Sequence, residues 1–473
     1  MTKASSKGYE ISAVATDTAF SSAVLPFRQV PLNILWRVLV GSNDYMTTNS
    51  SAERNAFSSS SDGQILYVPK YQIDQTGPLY RLFQASSPPA DHMESTSPNE
   101  ANYSAEGILG YPWTNQSTVR GLTPMVRRYN GHDHATSYEG ELFAAGYETI
   151  EGLGRYGYHR FNNESESLLW ADPNGGEVSV ASNAVAGGIV WHWIWQGTNF
   201  VAKSDYGREI QSSMSFVVKT GSGPNEEIGF LPTEGGDHFS HDGQLPNPAD
   251  RHGSPILNIH NNGPVHVTRC IPLEYEPQNF GGGSETPVIY PDMVMGKDLL
   301  LNYNGMPRVA KYTSHFVLPS DLPDDTRPNF EIPTAYTPPE FNAYYTFDAL
   351  NEDQPRRVYP TPNTCNPNDD NNNRIQWPVD GEIAAYSGYG GVILATADGS
   401  RAIGVYGGHR KVGGSVSYYT LWDFRACGTS KWSAASGPEG VTAGEKLFNT
   451  WIIVGTLNNV RDDMKTLALT LTK

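Results

Sequence analysis

The densest set of side chains able to do chemistry runs Pro232-Thr233-Glu234-Gly235-Gly236-Asp237-His238-Phe239-Ser240-His241-Asp242, followed by Asp250-Arg251-His252. Three of the twelve histidines and four carboxylates fall within the 19 residues 234–252, on a stretch broken by Gly and Pro. A carboxylate or imidazole there needs only a tuned pKa beside a substrate to act as general acid or base. Loops held on a rigid sheet are where such groups usually sit. A metal would need three or four ligands to converge, and His238 and His241, three apart, have no helix to bring them to one face. The competing reading is a solvated turn whose Asp and His side chains cap backbone groups. Upstream, Asp205-Tyr206-Gly207-Arg208-Glu209-Ile210-Gln211 opens a strand. Arg208 and Gln211 are an odd number apart, so a regular strand points them to opposite faces, and only a bulge near Gly207 would unite them.

The elements that must hold these groups read as strands. From about Leu168 onward, apolar runs separated by Gly, Pro and Asn clusters predict strands over Gly188–Trp195, Glu209–Lys219, Val265–Tyr275, Val309–Leu318, Ala343–Phe347, Gly391–Ala395, Ala402–Tyr406, Val416–Trp422, Phe448–Leu457 and Met464–Leu471. No gap reads as a long capped amphipathic helix. Strands without βα alternation predict a large antiparallel sandwich. Trp191, Trp193 and Trp195 alternate on one strand face, as expected of an aromatic core face or of a platform for sugar rings.

The first third is organised differently. An apolar run around arginine occurs at Leu35-Trp36-Arg37-Val38-Leu39, Leu79-Tyr80-Arg81-Leu82-Phe83 and Met125-Val126-Arg127-Arg128-Tyr129. A second motif follows each: Asp44-Tyr45, Asp91-His92 and Asp133-His134. A third puts an acidic residue and Gly before an apolar strand, at Asp62-Gly63, Glu106-Gly107 and Glu151-Gly152. Three motifs in one order describe an internal repeat, whose blocks bury enough apolar surface only by packing together. A β-trefoil is the expected form, with a small propeller-like ring as the alternative.

The repeats resemble a family of bacterial and fungal triple repeats with a Tyr-Arg-Phe-Tyr-Asn strand and an Asp-His-Phe-Tyr-Thr turn, whose members sit beside catalytic or adhesive domains. The resemblance implies ligand contacts at Asp91, His92, Asp133, His134, Arg81 and Arg127. The first copy departs from it, reading Asp44-Tyr45. The later part resembles secreted β-sandwich proteins with a Gly-Arg-x-Ile-Gln strand, an Asn-Pro-x-x-x-Gly-Asp loop and a Glu-x-Pro-Ala strand. It does so through Gly207-Arg208-Glu209-Ile210-Gln211, Pro232-Thr233-Glu234-Gly235-Gly236-Asp237, Glu331-Ile332-Pro333-Thr334-Ala335-Tyr336 and Ile453-Val454-Gly455-Thr456-Leu457. Here Leu231 stands before Pro232, and Thr334 separates Pro333 from Ala335. No settled activity comes with that resemblance; it implies a cleft formed by Arg208, Gln211, Asp237 and Glu331. In the polar loop, His241 and His252 are further candidate ligand contacts. Glu234 or Asp237 with Glu331 would suit a glycosidase, and His238 is a further acid or base. A lyase would instead use Tyr or His as base, with Arg208 neutralising an acidic sugar.

Composition narrows the classes. The 473 residues carry 33 Lys+Arg against 50 Asp+Glu, a formal charge of −17, which offers no basic footprint for nucleic acid or an anionic membrane. No apolar stretch approaches the roughly 20 residues of a membrane helix, and residues 1–20 show no apolar core behind a basic start, so a cytoplasmic or mature secreted chain is expected. Cys270, Cys365 and Cys427 are too far apart for a CxxC pair. Nucleophile elbows, Walker loops and dinucleotide fingerprints are missing, so no cofactor is expected. Whether a metal binds stays open. The Asp369-Asp370-Asn371-Asn372-Asn373 run lacks the spacing and Gly turn of a calcium loop. The expectation is an all-β protein: a three-repeat, β-trefoil-like, lectin-like domain over residues 1–165, then an antiparallel β-sandwich over 166–473. Its expected partner is glycan or polysaccharide, bound as by a lectin; the alternatives are a polysaccharide hydrolase or lyase, or a non-enzymatic defence toxin.

Overall fold

Runs of alternating apolar and polar residues, broken by Gly and Pro, fold here almost entirely into antiparallel strands. The computed structural model describes residues 27–41, 44–57, 61–85, 90–119, 122–138, 146–156, 167–171, 176–202, 209–219, 227–236, 253–262, 264–275, 288–322, 326, 328–358, 390–408, 416–422, 429–438 and 440–472. Among these, no helix is long and apolar enough to cross a membrane.

Nine strands come first, in three three-stranded units. β1 (Val30–Val40) lies between β2 (Asp44–Thr48) and β3 (Ser61–Pro69), with the short α1 (Ser51–Ala56) between those two in sequence. β4 (Leu79–Gln84) lies between β5 (Asp91–Ser95) and β6 (Ser104–Gly110). β7 (Thr123–Tyr129) lies between β8 (His134–Tyr138) and β9 (Glu148–Tyr156). The arginine strand is central each time, and β2, β5 and β8 pack against one another. Leu35, Val68, Leu79, Leu109, Met125 and Leu153, drawn from all three units, form one buried cluster.

β10 (Ser167–Ala171), β11 (Val178–Asn183), β12 (Val190–Trp195) and β13 (Thr198–Asn199) form a four-stranded sheet. Two large sheets follow. The first runs through β14 (Gln211–Lys219), β15 (Glu227–Phe230), β16 (Pro232–Thr233), β19 (Leu273–Glu274), β20 (Val288–Ile289), β23 (Asn329–Thr337), β28 (Tyr418–Trp422) and β29 (Ser430–Ser436). The start of β1 joins it, Val30 and Pro31 pairing with Ile289 and Val288. The second holds β17 (Ile256–Asn262), β18 (Val265–Cys270), β21 (Val294–Leu300), β22 (Val309–Leu318), β24 (Ala343–Asp348), β25 (Arg356–Val358), β26 (Gly390–Ala395), β27 (Ala402–Tyr406) and β30 (Gly444–Gly455). Between them lies one core, to which Met214, Phe330, Ile332 and Trp432 come from the first sheet and Tyr312, Phe316, Leu394 and Ile452 from the second. Trp193 and Trp195 belong to that core, and Trp191 is buried beside it, so the alternating tryptophans are packing residues.

Two expectations need correction. Val265–Tyr275 is not one strand: it ends at Cys270 in the second sheet and resumes at Leu273 in the first, with Pro272, which has no N–H to give a ladder, at the crossing. Met464–Leu471 is not a strand but the end of a 15-residue helix, α2 (Leu457–Leu471). Thr456 caps it: its hydroxyl accepts from Asn459 N–H, and the Asn459 side chain returns a bond to Thr456 N–H. Val460, Met464, Leu467 and Ala468, one helical stripe, bury themselves on Ile393, Ile453 and Phe347 of the second sheet.

Candidate functional site

Strand alternation gives the first large sheet two unlike faces. Ile210, just before β14, and Met214 and Phe216 on it enter the core, so Gln211 and Ser213 face away from it. On β29, Trp432 and Ala434 point in, and Lys431 and Ser433 point out. On β23, Phe330 and Ile332 point in, but so does Ala335, three residues later. A bulge explains the change of phase: Ser213 pairs with Glu331 and Gln211 with Thr334, so one residue of β14 spans two of β23. Glu331, Thr334 and Tyr336 therefore share the outer face.

There the Glu331 carboxylate accepts from Ser213 Oγ at 2.6 Å and Ser433 Oγ at 3.0 Å, with Lys431 Nζ at 3.4 Å. Ser433 Oγ also lies 2.7 Å from Thr334 Oγ1, and the Lys431 ammonium sits 5.4 Å above the Tyr336 ring. The side chains of Glu331 and Lys431 keep 16% exposure each, while Ser213, Ser433, Thr334 and Tyr336 around them are buried. Burial raises the Glu331 pKa, but the Lys431 charge and the two serine hydroxyls outweigh it and hold the group below the ordinary carboxylate value. The result is an ionised carboxylate, flanked by hydroxyls, an ammonium and an aromatic ring. Gln211 is on this face too, its Oε1 accepting from Thr233 Oγ1 at 3.0 Å and Gly235 N–H at 2.6 Å.

Glu234 lies on the other side of the sheet. Its carboxylate is fully buried, 2.7 Å from the equally buried Lys297 Nζ, and accepts from Ser212 N–H at 2.9 Å. Lys297 also donates to Gly188 O at 2.8 Å and Thr268 Oγ1 at 3.2 Å. Burial pushes Glu234 upward against the pull of Lys297. The structure thus does not bring Glu234 and Glu331 together, whereas Gln211 and Glu331 do share a face. Arg208, Asp237, His238, His241 and His252 lie outside the described residues.

In the three-unit ring, Asp44, Asp91 and Asp133 converge, each offering an oxygen within 4.8 Å of the others. Asp44 accepts from His92 N–H at 2.9 Å and His92 Nδ1 at 2.6 Å. Asp91 accepts from His134 N–H at 3.0 Å, from His134 Nδ1 at 2.6 Å and from the Tyr103 hydroxyl. Asp133 accepts from Tyr45 N–H at 3.1 Å and from the Tyr147 hydroxyl. All six carboxylate oxygens are met by protein donors, and each bond runs from one unit to the preceding one, or within a unit for the two tyrosines. The arginines run the same way round: Arg37 donates to Thr136 O at 3.0 Å, Arg127 to Glu94 O at 3.2 Å, and Arg81 to Glu53 at 2.8 Å. Glu94, fully buried, accepts from Thr47 N–H at 3.1 Å and from Thr136 Oγ1. Asp91, His92, Asp133, His134, Arg81 and Arg127 thus spend polar atoms on neighbouring units.

Ser213, Ser433 and Lys431 are the residues at Glu331 that sequence reasoning missed; the only trace is polar side chains alternating with core residues in Gln211-Ser212-Ser213-Met214 and Lys431-Trp432-Ser433-Ala434. Tyr103, Tyr147 and Glu94 were missed in the ring.

No family model matches the chain, and no curated protein matches it. Solved structures do match. A polysaccharide lyase is 12% identical at a TM-score of 0.28, over 61% of this chain and 34% of the lyase, so this chain spans about a third of that protein. A protein described as a candidate aldose 1-epimerase from Klebsiella pneumoniae is 8% identical at 0.31, over 63% of this chain and 81% of its own. A galactose mutarotase-like protein from Clostridium acetobutylicum is 8% identical at 0.28, over 61% and 94%. These neighbours bear the names of sugar-handling proteins.

Proposed function

We propose that this protein is a carbohydrate-active enzyme that cleaves a polysaccharide on the outer face of β14, β23 and β29, with Glu331 as its base. The observation that carries the reading is the ionised Glu331 carboxylate between Ser213, Ser433 and Lys431. A carboxylate held charged and partly exposed can take a proton from water or from a sugar carbon. Hydroxyl and ammonium donors suit the polar edge of a sugar. In hydrolysis a second acid must protonate the leaving oxygen; Asp237 is our candidate. In elimination the same base removes a proton beside a uronate, and Lys431 offers the neutralising charge.

The three-repeat unit, within residues 1–165, is in this reading the trefoil-like module that attaches the enzyme to its polymer, and residues 166–473 carry the chemistry. The lectin reading receives less support, because the shared Asp, His and Arg side chains turn to neighbouring units. The test is incubation of the wild type and Glu331→Gln with neutral and acidic polysaccharides. New reducing ends are counted, and the absorbance of unsaturated sugars is followed. Turnover of one class by the wild type and at least a hundredfold less by the variant is expected, with the absorbance marking elimination. Equal turnover by both proteins, or none by the wild type on any polymer, overturns the proposal.

A further inference from the structure

The ring that closes the three repeats is built from proton-carrying groups, and one of its three joints is chemically different. In two joints an imidazole meets the aspartate of the preceding unit, His92 on Asp44 and His134 on Asp91, both at 2.6 Å. In the third, Tyr45 stands where the histidine would be, and Asp133 accepts from the Tyr45 N–H and the Tyr147 hydroxyl. We infer that the ring is a proton-operated clasp, closed tightly in mild acid and loosened in mild alkali, with Asp133 itself carrying the proton that the missing imidazole would have brought.

The charge balance supplies the mechanism. With His92 charged and Asp133 protonated, an imidazolium faces Asp44 and the third carboxyl carries no charge. With those two protons gone, three carboxylates, each offering an oxygen within 4.8 Å of the others, lose that relief. Like charges so close in a poorly hydrated site repel strongly. His92 also faces Glu106, at 3.7 Å from Nε2, and Arg81, whose guanidinium is held by Glu53 and Glu106. His134 faces Tyr103 and stacks on the Tyr129 ring at 4.4 Å. Arg37 lies 5.9 Å from the Tyr45 ring, and Arg127 pairs with Glu151.

The direction of titration agrees with this geometry. Burial lowers the His92 pKa, but its bond to Asp44 and the charges of Asp44 and Glu106 raise it overall above the ordinary value. Asp133 is pushed up to about 7, first by burial and then by Asp91 and Asp44, against its hydrogen bonds to Tyr147 and Tyr45. Both groups bind a proton more tightly folded than unfolded, so the stability they add is present at low pH and lost as pH rises through their folded values. Asp91 runs the other way: burial raises it, but the bonds from His134 and Tyr103 prevail and lower it. Its contribution is lost only as pH falls below the ordinary range of aspartate, about 4. The clasp is therefore tightest at about pH 4 to 5 and loosens steadily as pH rises towards about 7.

The test is hydrogen exchange of the full chain at pH 5.5 and 8.0, corrected for intrinsic rates and read by mass spectrometry on peptides covering 44–48, 91–95 and 134–138. Protection of these peptides should fall at least tenfold from pH 5.5 to 8.0, while peptides of β22 and β30 hold theirs. In H92Q/D133N, which removes both groups that bind a proton more tightly in the folded chain, the fall should shrink to less than threefold. In Tyr45→His, which supplies the third imidazole, the pH at which protection is half lost should rise. Equal protection of the wild type at both pH values overturns the inference, as does a full tenfold fall in H92Q/D133N. Should that double variant not fold, an unmoved midpoint in Tyr45→His overturns it alone.

Discussion

Glu331 and Thr334, three residues apart on one strand, point to the same face of the sheet and both reach Ser433 Oγ, at 3.0 and 2.7 Å. A regular strand would send them to opposite faces. The bulge between Glu331 and Thr334 turns a core-lining strand into one that also presents a row of hydrogen-bonding groups outward.

The first prediction follows from what Ser433 does there. In the proposed mechanism Glu331 works as a base only when ionised, so its lowered pKa would make activity fall only as pH drops below the ordinary carboxylate value. Hydrogen bonds to a charged group contribute about 1.5–3 kcal/mol, and one pKa unit is about 1.4 kcal/mol. Ser433→Ala should therefore move the acid limb of the pH–activity profile upward by about one unit. A limb that stays in place would show that Ser433 does not set the base.

The second concerns the pair beneath that face. Lys297 and Glu234 are both fully buried, and the network continues from Glu234 through Ser212 to Tyr312 and Ser314 of the opposite sheet, at 3.1 and 3.0 Å. Removing one partner leaves a buried charge with nothing opposite it, at a cost of about 3–5 kcal/mol. Lys297→Met should lose that much in urea unfolding, and Lys297→Met with Glu234→Leu should lose clearly less than Lys297→Met alone. A double variant as unstable as the single would mean that the pair acts by shape rather than by charge.

How far these arrangements could be read from sequence depends on the distance over which the information is carried. Val309–Leu318 and Ala402–Tyr406 have the same bounds in sequence reading and structure, because each strand's alternation is local. The partners of Glu331 are not local: Ser213 lies 118 residues away, Ser433 102 and Lys431 100, so pairing register alone brings them together. The ring's inter-unit bonds likewise depend on which unit follows which in space. In Met464-Lys465-Thr466-Leu467-Ala468-Leu469, Leu467 and Leu469 read as strand alternation. The helical answer lies upstream of Met464, in the Thr456 and Asn459 cap.

That cap gives the third prediction. Thr456→Ala removes the hydroxyl that accepts from Asn459 N–H and should cost about 1 kcal/mol. Because α2 is docked on the second sheet, the loss should appear as lower global stability rather than as local fraying. It is measured as a shift of the unfolding midpoint at constant m-value. A changed m-value with an unmoved midpoint would place the helix outside the cooperative unit.

The fourth prediction tests how closely α2 sits on its sheet. Gly404 on β27 is no turn glycine, so its backbone would accept a side chain; what excludes one is the helix above it. A Cβ at Gly404 would meet Val460 Cγ1 at 2.7 Å and Met464 Cε at 3.0 Å, both buried. Gly404→Ala must lift the helix or displace those side chains, and overpacking of this kind costs about 1–3 kcal/mol. Val460→Ala alone leaves a cavity and also destabilises. Combined, the two changes exchange volume across the same contact, so their losses should fall short of additive by about 1 kcal/mol or more, as expected of residues that touch. Strict additivity in a double-mutant cycle would mean that the helix stands off the sheet at Gly404, and that the stripe of Val460 and Met464 is not what holds it there.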